Sequence, residues 1–174
     1  IINVEYSAPI SFTLYGGFAA EGGSERSGKT IFSGQNSHSI LAVKNNAHIN
    51  FDGISFSNGK GNGGGQAAVR IEGEKADVSF NNCVFSDNSN TATSAAVQVS
   101  GLANATFTAC EFSNNATTMA AALNVDSATS CLVDACSFVG NSAETYHGGA
   151  VQIKGSCQLK DCTFDSNSAK ECGG

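Results

Sequence analysis

The sequence predicts an all-β chain wound as a right-handed parallel β-helix of about six coils, and three observations lead there. The segments VSFNNCVFSDN (78–88), ATFTACEFSNN (105–115), CLVDACSFVGN (131–141) and CQLKDCTFDSN (157–167) recur at a spacing of 26 or 27 residues. Between them a second block recurs as AAVRI (67–71), AAVQV (95–99), AALNV (121–125) and GAVQI (149–153). Within a unit, Val69 and Ile71 alternate with Ala68 and Arg70, and Val78 and Phe80 with Asp77 and Ser79, a period of two with one apolar face. A helix would need an apolar stripe at spacings of three and four filled out with Ala, Leu, Glu and Lys; these units use Val, Ile, Phe, Thr, Ser, Asn and Gly.

Three short runs per unit, broken by Asn, Gly and Ser, describe a chain that turns two or three times per circuit and lands on itself. Equivalent residues then stack about 4.8 Å apart, so a column of the alignment is a column in space. Phe56, Phe85, Phe112, Phe138 and Phe164 form one inward column, and Phe51, Phe80, Phe107, Val133 and Leu159 another. Asn88, Asn115, Asn141 and Asn167 fall at a bend, where each amide can bond the one above and the one below and satisfy buried backbone. Cys83, Cys110, Cys136 and Cys162 share an inward column, and Cys131 and Cys157 another. Three arrangements fit these thiols. They are a ladder of small buried side chains, disulfides between stacked neighbours whose Cβ atoms would sit slightly too far apart, or a metal site of Cys131, Cys136, Cys157 and Cys162. The seventh cysteine, Cys172, stands apart, and nothing beside it in sequence activates it.

In chain order, residues 1–37 read as a first coil with an enlarged loop, AAEGGSERSGK (19–29), that could cover the open end of the stack. Residues 38–174 are the repeat coils. A weaker copy spans 38–66, with a bend FSNG (56–59) and a glycine-rich KGNGGGQ (60–66); no helix follows it, so a phosphate cradle is not expected. The chain reads as a piece of a larger secreted protein cut at both ends. Two glycosylation sequons, starting at Asn104 and Asn115, follow from an Asn- and Thr-rich composition.

Net charge is −6, charged residues are 14% and no basic run occurs, so nucleic acid is not an expected partner. No apolar run approaches the 20 residues of a membrane helix. A polysaccharide lyase or hydrolase needs paired acids. The outward column Arg70, Gln98, Asn124, Gln152 has none, and the next, Glu72, Ser100, Asp126, Lys154, sets two carboxylates roughly 9–10 Å apart. His38, His48 and His147 fall on different coils or sides, so no metal cluster or triad is expected. The chain reads as non-catalytic, with no cofactor, and Tyr146 and His147 in the loop 141–149 are candidate contacts.

Four copies of FxxN, Phe85 to Asn88, Phe112 to Asn115, Phe138 to Asn141 and Phe164 to Asn167, alternate with Gly148-Gly149-Ala150-Val151 and its relatives Ser94-Ala95-Ala96 and Ala120-Ala121-Ala122. This alternation of FxxN with GGA(I/L/V) resembles the passenger repeats of the polymorphic membrane protein family of autotransporter adhesins, over about residues 56–174. The opening FTLYGGF (12–18) is similar to that of many bacterial surface β-helix proteins. The resemblance implies a passenger outside the cell that contacts a host cell-surface protein, matrix protein or glycan, with both motifs implicated in adhesion. Set against it are a stalk or rod associating end to end, and, less well supported, a polysaccharide-cleaving enzyme.

Overall fold

The computed structural model describes residues 1–4, 9–18, 25–61, 67–92, 94–120, 122–127 and 130–173. Residues 19–24 of the enlarged loop and 62–66 of the glycine-rich loop lie outside these residues, as do Ala121, Ala128 and Thr129.

Four parallel sheets run along one axis. The first contains Ile2–Val4, Leu41–Val43, Val69–Glu72, Val97–Ser100, Leu123–Val125 and Val151–Ile153; the second contains Ile10–Tyr15, Ala47–Asp52, Asp77–Asn81, Asn104–Thr108, Ser130–Asp134 and Gln158–Lys160. The third contains Thr30–Ser33, Ile54–Ser57, Val84–Ser86, Glu111–Ser113, Ser137–Val139 and Thr163–Asp165. A fourth is built from pairs of residues, Lys60–Gly61, Ser89–Asn90, Ala116–Thr117, Ser142–Ala143 and Ser168–Ala169. Three sheets thus have six strands and the fourth five, making about five complete turns where the repeat suggested about six coils. The expectation of three runs per unit is corrected to four. The missing run is two residues long, too short to show any alternation.

Register follows the repeat. Phe85 lies beside Phe56 and Phe112, Phe112 beside Phe138, and Phe138 beside Phe164, while Phe32 extends the column into the first coil. Leu14 extends the second column through Phe51, Phe80, Phe107, Val133 and Leu159. Within a column the rings lie nearly parallel, with centroids 4.6 Å apart for Phe112 and Phe138 and 5.2 Å for Phe80 and Phe107. The columns meet edge to face, as at Phe56 and Phe80, 5.7 Å apart. Both geometries set the positive edge or offset face of one ring against the negative face of the next, and full burial of each phenylalanine contributes roughly 1.5–3 kcal/mol. The columns emerge into solvent at the end coils, where Phe164 is 50% exposed and Leu14 36%.

Left-handed backbone makes the bends. Between the second and third sheets the residue is Gly53, Asn82, Ala109, Ala135 or Asp161; between the third and fourth it is Asn58, Asp87, Asn114, Gly140 or Ser166. All but two carry a Cβ, at a cost of roughly 1–2 kcal/mol each, so something at each bend must offset the strain.

The first coil departs from the pattern. Its loop returns to the stack through Arg26, whose Nε donates to Gly16 O (2.9 Å) and whose Nη2 donates to Asp52 O (2.8 Å) and Asp52 Oδ1 (3.1 Å). The guanidinium also lies 5.7 Å from the Tyr15 ring centroid. That ion pair holds the Asp52 carboxyl below its ordinary value.

Candidate functional site

The FxxN asparagines occupy the interior of the bend between the third and fourth sheets. Asn115 Nδ2 donates to Phe85 O and to Asn141 Oδ1, both at 2.9 Å, while its Oδ1 accepts from Asn88 N (3.2 Å) and Asn88 Nδ2 (2.9 Å). Asn88, Asn141 and Asn167 repeat this arrangement, and Gly59, which takes the asparagine position in the second coil, donates its N–H to Asn88 Oδ1 at 2.8 Å. Both hydrogens and the acceptor oxygen of each internal amide are used, so the bend has no orphan group at this position. Asn88, Asn115 and Asn141 are at most 1% exposed, and Phe85, Phe112 and Phe138 are fully enclosed. In these coils the motif side chains are therefore out of a partner's reach. The sequon at Asn115 is enclosed with them, whereas Asn104 stands on the outward side of the second sheet, half buried.

The GGA block is the point where each loop returns to the first sheet. Gly148 has φ +74° and donates its N–H to Cys172 O, and Gly149 donates to Gly173 O. A Cβ on Gly149 would run into the backbone of Ser168, so this coil takes glycine where the equivalent positions of earlier coils carry Ala67 and Ala95. Ala150 is buried, and Val151 opens the strand beside Leu123. Tyr146 and His147 project just before it, both exposed, with His147 Nε2 3.7 Å from Glu171 Oε2.

The cysteine columns stand at the predicted inward positions. All seven cysteines are free, so the disulfide alternative is not realised in this structure. Among the described residues no three His, Cys, Asp or Glu side chains gather, and the four thiols proposed as a metal set do not converge. Each thiol of the longer column instead donates to carbonyls at its bend, as Cys110 Sγ does to Phe80 O (3.3 Å) and Thr108 O (3.4 Å). The neighbouring thiols of Cys136 and Cys83, and then burial, push the Cys110 thiol up; Cys157 and burial do the same for Cys131. These two sulfurs are therefore protonated and unreactive at neutral pH.

On the outer face of the first sheet, Arg70, Gln98, Asn124 and Gln152 form the expected column. Glu72 is held by Arg70 (3.2 Å) and Lys44 (3.6 Å). Gln98 Oε1 and Asn124 Oδ1 are buried without a partner. Asp126 follows the same strand two coils beyond Glu72, its N–H bonded to Val99 O, and no bond links the two carboxylates.

Residues 30–174 match a family model described as a right-handed β-helix region. The chain belongs to that family. No curated protein and no solved structure matches it. The match begins at the first strand of the third sheet, so the β-helix family covers the bends and both ladders, and its members include enzymes and non-enzymes alike. Two features of this β-helix escaped the reading of its sequence. Arg26 lay in an apparently featureless polar loop. The serines after the motif phenylalanines, Ser57, Ser86 and Ser113, were passed over as the variable part of FxxN, although their recurrence in register was the available signal.

Proposed function

We propose that this β-helix is a binding segment of an extracellular surface protein of the autotransporter passenger type, recognising a host cell-surface protein, matrix protein or glycan and performing no catalysis. One contrast carries the reading. Inward columns repeat the same or a similar apolar residue from coil to coil, whereas the outward column of the first sheet reads Ala42, Arg70, Gln98, Asn124, Gln152, of which Arg70 and Gln152 are partly open to solvent, and the loops leading into that sheet differ in length and composition. A constant interior with a variable exterior is what recognition by a solenoid uses, and a plain spacer does not need it. Against catalysis, Glu72 is engaged by Arg70 and Lys44 and makes no bond to Asp126.

The test is binding of labelled, folded chain to epithelial cells and matrix proteins, with heat-unfolded chain as control. Saturable binding abolished by unfolding is expected. A folded chain that binds neither would overturn this reading.

A further inference from the structure

The outer face of the third sheet carries a groove that none of the recurring motifs was expected to build. Its floor consists of two outward columns, Ser57, Ser86 and Ser113 in one and Ser55, Val84 and Glu111 in the other. Gly53 and Asn82, both with left-handed backbone, form one wall and Asp87, at the next bend, the opposite one. Lys29, from the loop that Arg26 fastens, closes one end. At the other end Val139 replaces the serine and the hydroxyl column stops. The space is about 520 Å³, within the usual range for small-ligand sites. Ser57 to Ser113 spans three rungs, roughly 10 Å at the strand spacing.

The hydroxyls on this floor are uncommitted. Ser57 Oγ receives only a long bond from Asn58 Nδ2 (3.4 Å), and the side chains of Ser55, Ser86 and Ser113 bond nothing among the described residues. We infer that the groove binds a short stretch of a neutral linear glycan lying along the helix axis. This inference rests on reading the β-helix as a binding scaffold and places recognition on one face of it.

The chemistry selects the ligand class. A serine hydroxyl both donates and accepts, and a row of them at regular spacing complements a chain that offers hydroxyls of the same dual character at regular intervals. Val84 and Ile31 supply apolar surface for the C–H faces of the sugar rings. A protein partner would want an aromatic or arginine anchor pocket, and the groove has none; it also lies on a sheet face, where no strand can be added. Asp87 and Glu111 outnumber Lys29 along the groove, and with a net charge of −6 they disfavour uronates and sulfated glycans.

The experiment is a titration of ¹⁵N-labelled chain with soluble mannan, β-glucan and chito-oligosaccharide fragments, alongside polygalacturonate and heparin. At least one neutral probe is expected to shift the amides of residues 55–57, 84–86 and 111–113 saturably. The double variant Ser86→Val, Ser113→Val, which keeps strand-compatible side chains on a solvent face, should weaken that probe at least tenfold with the remaining spectrum unchanged. Thr106→Val, on the outer face of the second sheet, should leave it alone. The inference fails if no neutral probe shifts these amides, if the double variant binds as the parent does, or if the acidic probes bind equally well. Cell binding separates it from the broader reading. A parent chain that binds cells but no neutral glycan keeps the adhesive role and loses the groove; one that binds glycan in the groove but no cells keeps the groove and loses the adhesive role.

Discussion

The two bends that flank the third sheet face the same problem and use different side chains to solve it. At the bend into the fourth sheet stand the amides Asn88, Asn115, Asn141 and Asn167; at the bend from the second sheet stand the thiols Cys83, Cys110, Cys136 and Cys162. Both sets sit beside a left-handed residue and both reach carbonyls of their own bend or the preceding coil. An amide donates and accepts, so each asparagine passes the chain of bonds to the next and also accepts a backbone N–H. A thiol is a weak donor and a weaker acceptor. Among the described residues one backbone N–H, that of Cys110, reaches a thiol of the next coil, Cys136 Sγ at 3.4 Å. The amide column is a continuous ladder whose members polarise one another; the thiol column is a series of weaker contacts that also fills core volume.

Both depend on the phenylalanine stack between them, and removing part of it gives the largest effect. Phe112→Ala deletes a fully buried ring packed on Phe85 and Phe138, and a loss of roughly 3–5 kcal/mol is expected in chemical denaturation. An unchanged midpoint would break the register on which the comparison rests.

Asn115→Ala sharpens the comparison directly. It strands Asn88 N and Phe85 O, both buried, at about 1–3 kcal/mol for each unpaired group. Cys110→Ala removes one weak S–H donor shared between two carbonyls and leaves a small cavity, so about 1–2 kcal/mol is expected. Equal losses in the two variants would show that the thiols form a ladder of the same kind as the amides. A double variant, Asn88→Ala with Asn115→Ala, should cost less than the sum of the singles, because the second substitution removes a group the first had already orphaned.

The comparison also explains what was legible in the sequence. The asparagines and phenylalanines could be read because their role is periodic. One residue type recurs at one interval, and stacking turns the interval into contact. The thiol columns were placed for the same reason, but their hydrogen-bonding role was not, since nothing in the spelling of Cys83 or Cys110 says which carbonyls lie within reach. The fourth sheet was missed because Ser89–Asn90 and its equivalents are too short for alternation. Arg26 was missed because it occurs once: its partners Gly16 O and Asp52 are set by the path of a single loop, to which a repeat contributes no second example. The serine groove falls between these cases. Its residues are periodic, yet an outward serine has no packing consequence that marks it, and only the walls at Gly53, Asn82 and Asp87 make the row a concavity.

The smallest effect predicted belongs to that one irregular fastening, and it is read through pH. Asp52 accepts from Arg26 and, at 3.3 Å, from Asn82 Nδ2, so its carboxyl titrates below its ordinary value of 3.8 in the folded chain. A depressed carboxyl binds fewer protons folded than unfolded. Its contribution is therefore complete above the unfolded value and declines as pH falls through the folded one. Melting temperature followed from pH 6 to pH 2.5 should drop more steeply below about pH 4 for the parent than for Asp52→Asn. Because the guanidinium is reached by solvent, the difference should also shrink in high salt. The coils from the third onward do not use this pair, so amide exchange at Asn115 and Asn141 should be alike in parent and variant at pH 6. Exchange that quickened throughout the stack would mean that the first-coil loop and the asparagine ladder form one cooperative unit, and that the contrast between a repeated device and a solitary one does not extend to stability.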